Sequence, residues 1–253
     1  MIINTLSNTK NATFAVLVPH PDPRAEEFPT PNGTGFFVSE DGYFITARHV
    51  LEKKDASGNI TLHDPAKVQF IKPEIPPPMP SVDSISIIKD WPEFDLVLLK
   101  ADFDKNRSKD AFKGKDGFDF VEIDLNVIPE GTEVYSLGYP LPKYEVHIKR
   151  PLMWGFHHFC PRTTSAIISS HHDVIGPAFG PGFPKYYVID KSLVYGNSGG
   201  PIIVQETGKA ISVCVRFQPV QIPQNRNVTI TVPSLYGITS SLKNIESELK
   251  NFI

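Results

Sequence analysis

Gly196-Asn197-Ser198-Gly199-Gly200-Pro201 sets one serine among residues too small to crowd a reacting carbonyl, so that backbone N–H groups can surround it. The segment reads as a nucleophile loop. A serine hydroxyl is a poor nucleophile alone, and its activation requires an imidazole base and a carboxylate that orients the base. Both occur upstream. His49 ends the apolar run of Gly42-Tyr43-Phe44-Ile45-Thr46-Ala47-Arg48-His49-Val50, and Asp95 heads that of Phe94-Asp95-Leu96-Val97-Leu98-Leu99. The chain order is histidine, aspartate, serine.

Of the unrelated chain orders known for this constellation, Ser-Asp-His and Asp-His-Ser are excluded and only the chymotrypsin-type order fits. Four segments then carry a resemblance. They are Gly33-Thr34-Gly35-Phe36-Phe37-Val38 with the His49 region; Glu93 to Leu99; Gly131 to Pro140 with Thr164 to Ser169; and Gly196 to Pro201. Together they resemble the chymotrypsin-fold (trypsin-like) serine peptidases, more closely the bacterial HtrA/Deg-type protease domain without a PDZ domain. The resemblance spans roughly residues 12 to 245, with a weaker echo at Val232-Pro233-Ser234. It implies an all-β fold: two six-stranded antiparallel β-barrels of chymotrypsin type, with the site between them.

Composition agrees with a globular chain. Hydrophobic residues make up 40% and charged residues 21% of the 253, enough to bury a core. The formal net charge of −3, with Lys and Arg scattered, provides no nucleic-acid footprint or anionic-membrane patch. The first ten residues lack a basic and apolar leader pattern, and no stretch has the apolar length of a membrane span. With only Cys160 and Cys214, reduced thiols are expected, and the compartment expected is the cytoplasm. Cys214 sits in a strand-like run and is expected to pack as a small apolar residue.

Short β-rich runs recur between turn signals. Ala12 to Pro19, Gly35 to Val38, Tyr43 to Ala47, Ala66 to Ile71, Ser84 to Ile88 and Leu96 to Leu99 supply a first barrel. Val134 to Leu137, Tyr144 to Ile148, Ser165 to Ser169, Tyr186 to Asp190, Ile202 to Gln205, Ala210 to Arg216 and Val228 to Val232 supply a second. The polar stretch Asp104 to Phe118 reads as the linker, dividing the chain into 1–118 and 119–253. Leu235, Ile238, Leu242, Ile245 and Leu249 recur at helical spacing and predict a C-terminal helix over about 234–252.

The resemblance assigns roles residue by residue. His49 takes the proton of Ser198 and returns it to the leaving group; Asp95 fixes the imidazole tautomer; the N–H groups of Gly196 and Ser198 form the oxyanion hole. Asn197 occupies the place where animal relatives carry an acid, so no charged pair with a new amino terminus is expected there. Arg48 is expected to point to solvent, with a carboxylate partner as the alternative. Counting back by the family interval puts Ser192 at the floor of the primary specificity pocket, with Arg216 and Phe217 in its wall. A serine floor favours small or medium apolar residues before the cleaved bond, unless Asp190 reaches the pocket.

His157, His158, Cys160, His171 and His172 have side chains suited to zinc, but adjacent histidines on an extended chain diverge and no CxxC or HExxH frame is present. No metal and no cofactor is expected. The Pro-rich segments Lys72 to Pro80 and Gly176 to Pro184 read as surface loops. The expected activity is a serine endopeptidase acting through an acyl-enzyme on a protein or peptide substrate, with no nucleic acid or membrane partner; a regulatory protein partner is possible and its identity is left open. The alternatives are a non-proteolytic binding module on this fold and an esterase using the same triad.

Overall fold

The structure is a computed structural model that describes residues 2–20, 29–55, 57–72, 80–106, 112, 115–141, 143–149, 152–158, 160–172, 185–225 and 228–253. An 11-residue helix, α1 (Ile2–Ala12), leads directly into β1 (Thr13–Val18), every residue of which is buried. Burial on both faces follows from the alternation of side chains along a strand. Phe14, Val16 and Val18 enter the larger core, while Ala15 and Leu17 pack with Tyr139 from the second half of the chain.

The first half continues through β2 (Thr30–Phe37), β3 (Tyr43–Ala47), the ribbon of β4 (Glu52–Lys54) and β5 (Ile60–Leu62), then β6 (Gln69–Ile71), β7 (Ser81–Val82), β8 (Ile85–Trp91) and β9 (Leu96–Ala101). Apart from the β4–β5 ribbon these form one seven-stranded sheet in the order β7-β6-β1-β2-β3-β9-β8. The outermost strands β7 and β8 are consecutive, separated only by Asp83 and Ser84. With about 3.8 Å per Cα step, so short a connection forces the sheet to curl until its edges almost meet. This half-barrel is therefore closed by chain connectivity, not by a ladder of hydrogen bonds.

The second half contains β10 (Glu133–Gly138), β11 (Lys143–Lys149), β12 (Leu152–His158), β13 (Arg162–His172), β14 (Tyr186–Ile189), β15 (Pro201–Val204), β16 (Ala210–Asn225) and β17 (Val228–Ser241). Six of them close a barrel in the order β10-β13-β14-β17-β16-β15. The chymotrypsin-type, all-β architecture expected from the sequence is the observed one.

Several local expectations are corrected. The strand around Tyr144 to Ile148 pairs with β12 in a separate hairpin, outside the barrel. Residues 234–241, expected to be helical, belong to β17, because the barrel closes only if that strand pairs with β14 and β16 through Ser240 and Ser241. Leu235 is accordingly 78% exposed although it fits the helical spacing. Helical structure after β17 consists of a 3-10 turn, Leu242–Ile245, capped by Ser241, and the short α2 (Glu246–Leu249); their apolar residues Leu242, Ile245 and Leu249 are buried. The stretch read as a polar linker also feeds the core. Phe118 stacks on Phe37 with centroids 4.1 Å apart, and Phe112 and Phe103 meet Phe118 edge to face. Residues 73–79 and 176–184 of the two proline-rich segments lie outside the described residues.

Candidate active site

The pairing of β3 with β9 sets Ala47 opposite Leu96. One step beyond that pair, the chain continues into a 3-10 turn, Arg48–Leu51, on one strand, while Asp95 precedes the other. Register alone therefore carries His49 to Asp95. Arg48 N–H donates to the Asp95 carbonyl at 2.9 Å, and the Asp95 carboxylate takes two further bonds: His49 N–H to Oδ1 at 2.9 Å and His49 Nδ1 to Oδ2 at 2.7 Å. An ionised carboxylate only accepts, so Nδ1 carries the proton and Nε2 is left with the lone pair of a base. Asp95 reaches this position with φ 55°, in the left-handed region. Aspartate tolerates that conformation better than most residues, and strain of this kind concentrates at functional sites.

Ser198 lines the same cleft as His49 and Asp95, a cavity of about 770 Å³ that also includes Glu52, Pro92, Glu93, Tyr186, Leu193, Val194, Tyr195, Val215, Arg216 and Phe217. Among the described residues, Ser198 Oγ makes no hydrogen bond to His49.

The nucleophile loop is set by its carbonyls. Tyr195 O accepts from Leu141 N–H at 2.7 Å, Gly196 O from the Thr34 hydroxyl at 2.6 Å, Asn197 O from Gly200 N–H at 2.9 Å, and Ser198 O from Thr34 N–H at 2.8 Å. Because N–H and C=O lie on opposite sides of a trans peptide, pinning the carbonyls of Tyr195 and Asn197 aims the N–H groups of Gly196 and Ser198 the other way. Neither N–H has a partner among the described residues. An oxyanion hole requires two such unpaired donors.

Thr34 is the residue that sequence reasoning passed over. It is fully buried, and besides holding Gly196 and Ser198 it accepts from Tyr139 N–H at 3.0 Å and offers its own carbonyl to the Thr46 hydroxyl at 2.6 Å. The half-barrel thus grips the loop of the closed barrel directly. Tyr195 adds a second tie, its hydroxyl donating to Asn32 Oδ1 at 3.0 Å while Asn32 Nδ2 donates to Val50 O at 2.7 Å, one residue past His49. The only hint in the sequence was the Gly33-Thr34-Gly35 motif itself.

Gly199 shows how tight this junction is. Its φ is +86°, and a Cβ there would lie 1.9 Å from Thr34 O and 2.2 Å from Thr46 Oγ1. Gly58 has a similar φ of +84° with nothing within 4 Å of a Cβ. Gly58→Ala should cost about 1 kcal/mol, the price of left-handed backbone alone. Gly199→Ala adds a steric clash, so about 4 kcal/mol or more is expected, lowering Tm by roughly 10 °C. Thermal melts of the two variants check this, and equal Tm values would refute the junction as described.

The remaining residues singled out by sequence are placed as follows. Arg216 and Phe217 line the cleft; Ser192 is not among its lining residues, whereas its neighbour Leu193 is. Leu193 abuts Gly237, where a Cβ would come within 2.6 Å of Leu193 Cγ. The Asp190 carboxylate accepts from Ile167 N–H at 2.8 Å on β13 and is occupied there. Arg48 does not point to solvent: its Nε donates to Asp90 at 2.8 Å and its guanidinium also binds Glu52, because the 3-10 turn swings it beside both acids. His157 and His158 lie on β12 and His171 and His172 on β13, while Cys160 is exposed. His171 Nε2 bonds Ile128 O at 2.8 Å. Among the described residues no cluster of three His, Cys, Asp or Glu side chains is arranged to hold a metal ion. Burial pushes the Cys214 thiol up to about 12, which keeps it protonated and inert.

The trypsin-like peptidase domain family matches residues 33–213. Two solved structures of the HtrA-type protease AlgW, one with a tripeptide and one with a decapeptide, superpose with TM-scores of 0.60 and 0.59 at 16% identity. They match 100% and 99% of this chain, and the chain spans 64% and 67% of theirs. At that identity the likeness concerns the fold. No curated protein matches the chain in sequence.

Proposed function

Because the chain belongs to the trypsin-like peptidase family, we propose that it is a serine endopeptidase in which Ser198 is the nucleophile, His49 the base and Asp95 the group that orients the base. The observation that carries the proposal is the Asp95 carboxylate bound to both the backbone and the ring of His49 in the cleft that Ser198 lines. A peptide substrate is supported by the peptides bound to the structural relatives.

His49 Nε2 takes the Ser198 Oγ proton as Oγ attacks the scissile carbonyl carbon, and the electron pair moves to the carbonyl oxygen. The N–H groups of Gly196 and Ser198 stabilise that charge, each such donor contributing about 3 kcal/mol. The imidazolium, held by Asp95, gives its proton to the leaving amine as the C–N bond breaks, leaving an acyl-enzyme. Water, deprotonated by the same imidazole, then releases the acid. Labelling with a fluorophosphonate probe tests the nucleophile: wild type should be labelled at Ser198, and persistent labelling of Ser198→Ala would remove the assignment.

Specificity before the cleaved bond is proposed to favour small or medium apolar side chains. Leu193, Val215 and Phe217 provide apolar walls, and the nearest acid in sequence, Asp190, is engaged elsewhere. Desolvating a lysine or arginine without a partner is unfavourable. Mass-spectrometric profiling of a peptide library should return Ala, Val or similar residues at that position; dominance of Lys or Arg there would overturn the pocket assignment alone. The cytoplasm is the proposed compartment.

A further inference from the structure

The cleft holds a charge that the triad chemistry does not use. Its charged lining residues are Glu52, Glu93, Asp95 and Arg216, together with His49. Asp95 is bound to His49, and Glu52 to Arg48. Arg216 has no carboxylate partner among the described residues and is solvent exposed. Its guanidinium carbon lies 5.6 Å from the centre of the Tyr186 ring, within cation–π range. Tyr186 is itself steadied by its hydroxyl, which donates to the Glu93 carbonyl at 3.4 Å. The Glu93 side chain is exposed, where water screens it. A cation is thus propped on an aromatic platform beside the reacting groups, with no carboxylate on its donors among the described residues.

Backbone pairing shows what can approach it. β15 pairs with β16 only from Ala210 to Val213. From Val215 onward β16 bonds β17 on one edge, and among the described residues its other edge is open beside Ser198. An extended peptide can add to such an edge. Pro219 and Pro223 lack the N–H groups that would continue the ladder, so the usable edge is short and Arg216 sits within it.

We propose that Arg216 is a specificity determinant that binds a carboxylate of the substrate, an Asp or Glu at the second, third or fourth residue before the scissile bond. The inference rests on the peptidase reading for the substrate's identity as a peptide. A planar guanidinium suits a carboxylate because it donates two parallel hydrogen bonds.

The test uses the full chain and fluorogenic peptides with an apolar residue before the cleaved bond and Ala, Asp or Lys at each of the three preceding positions. At one of these positions the Asp peptide should exceed the Ala peptide in kcat/KM by about five-fold at low salt, with Lys below Ala. Arg216→Gln should flatten the ranking, and Arg216→Glu should reverse it. Identical rankings in wild type and Arg216→Gln would overturn the proposal. Fluorescence anisotropy of the same peptides on the Ser198→Ala chain separates this from failure of the peptidase reading. If wild type neither hydrolyses the peptides nor takes up fluorophosphonate, that reading fails, while tighter binding of the Asp peptide, lost with Arg216→Gln, still supports carboxylate recognition. Equal affinities, or no binding of the Asp peptide, would refute it.

Discussion

Alanine at Ser198 or at His49 should each lower kcat by roughly a million-fold, and the double variant should be little worse than either. Without Oγ there is nothing to form the acyl-enzyme. Without the imidazole, Oγ stays protonated at neutral pH and the leaving amine receives no proton, so each loss disables the same two bond-making events. Residual turnover would come from the pinned N–H groups of Gly196 and Ser198, which both substitutions leave in place. Single-turnover kinetics on a cleaved peptide, with circular dichroism to verify folding, give the numbers. Multiplicative losses in the double variant would mean that the two residues act independently, contrary to the proposed mechanism.

Asp95→Asn should reduce kcat by about ten-thousand-fold with the fold intact. Asparagine tolerates the left-handed conformation that Asp95 adopts at φ 55°, and its carbonyl oxygen can still accept from His49 N–H. The amide nitrogen, however, then faces His49 Nδ1 in place of Oδ2. It donates a hydrogen bond, which requires a lone pair on Nδ1 and moves the ring proton to Nε2, the atom that must act as base. KM should change little, because the carboxylate is turned toward His49. Steady-state kinetics decide the matter, and a variant within ten-fold of wild type would show that Asp95 does not set the tautomer.

The candidate site was legible in the sequence to the extent that its residues sit in local motifs. His49 and Asp95 abut apolar runs that became β3 and β9, and Ser198 lies among glycines that permit the turn. Thr34 was not legible as a site residue. A threonine within Gly33-Thr34-Gly35 looks like any strand threonine, and three of its four hydrogen bonds, those to Tyr139, Gly196 and Ser198, are made to residues far along the chain. Arg48 was misread for a related reason: its acids Glu52 and Asp90 converge only when the 3-10 turn is folded against β8.

The C-terminal helix expected over 234–252 is present but shorter, beginning only after Ser241. Leu235, Ile238, Leu242, Ile245 and Leu249 satisfy helical spacing, but the closed barrel requires a sixth strand through Ser241, and its ladder overrides the local pattern. The helix α1 was missed for the opposite reason. Its Asn- and Thr-rich sequence has little intrinsic preference for helix, and tertiary contacts hold it: Thr9 bonds the Tyr135 hydroxyl at 2.9 Å, and Asn8 donates to Phe120 O at 3.0 Å.

Strand periodicity and the small residues around Ser198 are properties of neighbouring positions; together with the His-Asp-Ser order and the resemblance of four motif segments to trypsin-like peptidases, they pointed to an all-β chymotrypsin-type chain with His49, Asp95 and Ser198 as its candidate triad. Hydrogen-bond direction is not such a property. The aim of the Gly196 and Ser198 N–H groups depends on carbonyls held by Leu141, Thr34 and Gly200, and the open charge of Arg216 depends on which acids other bases have already taken. Those partners come from several strands and loops, so only the packing of the half-barrel against the closed barrel could decide them.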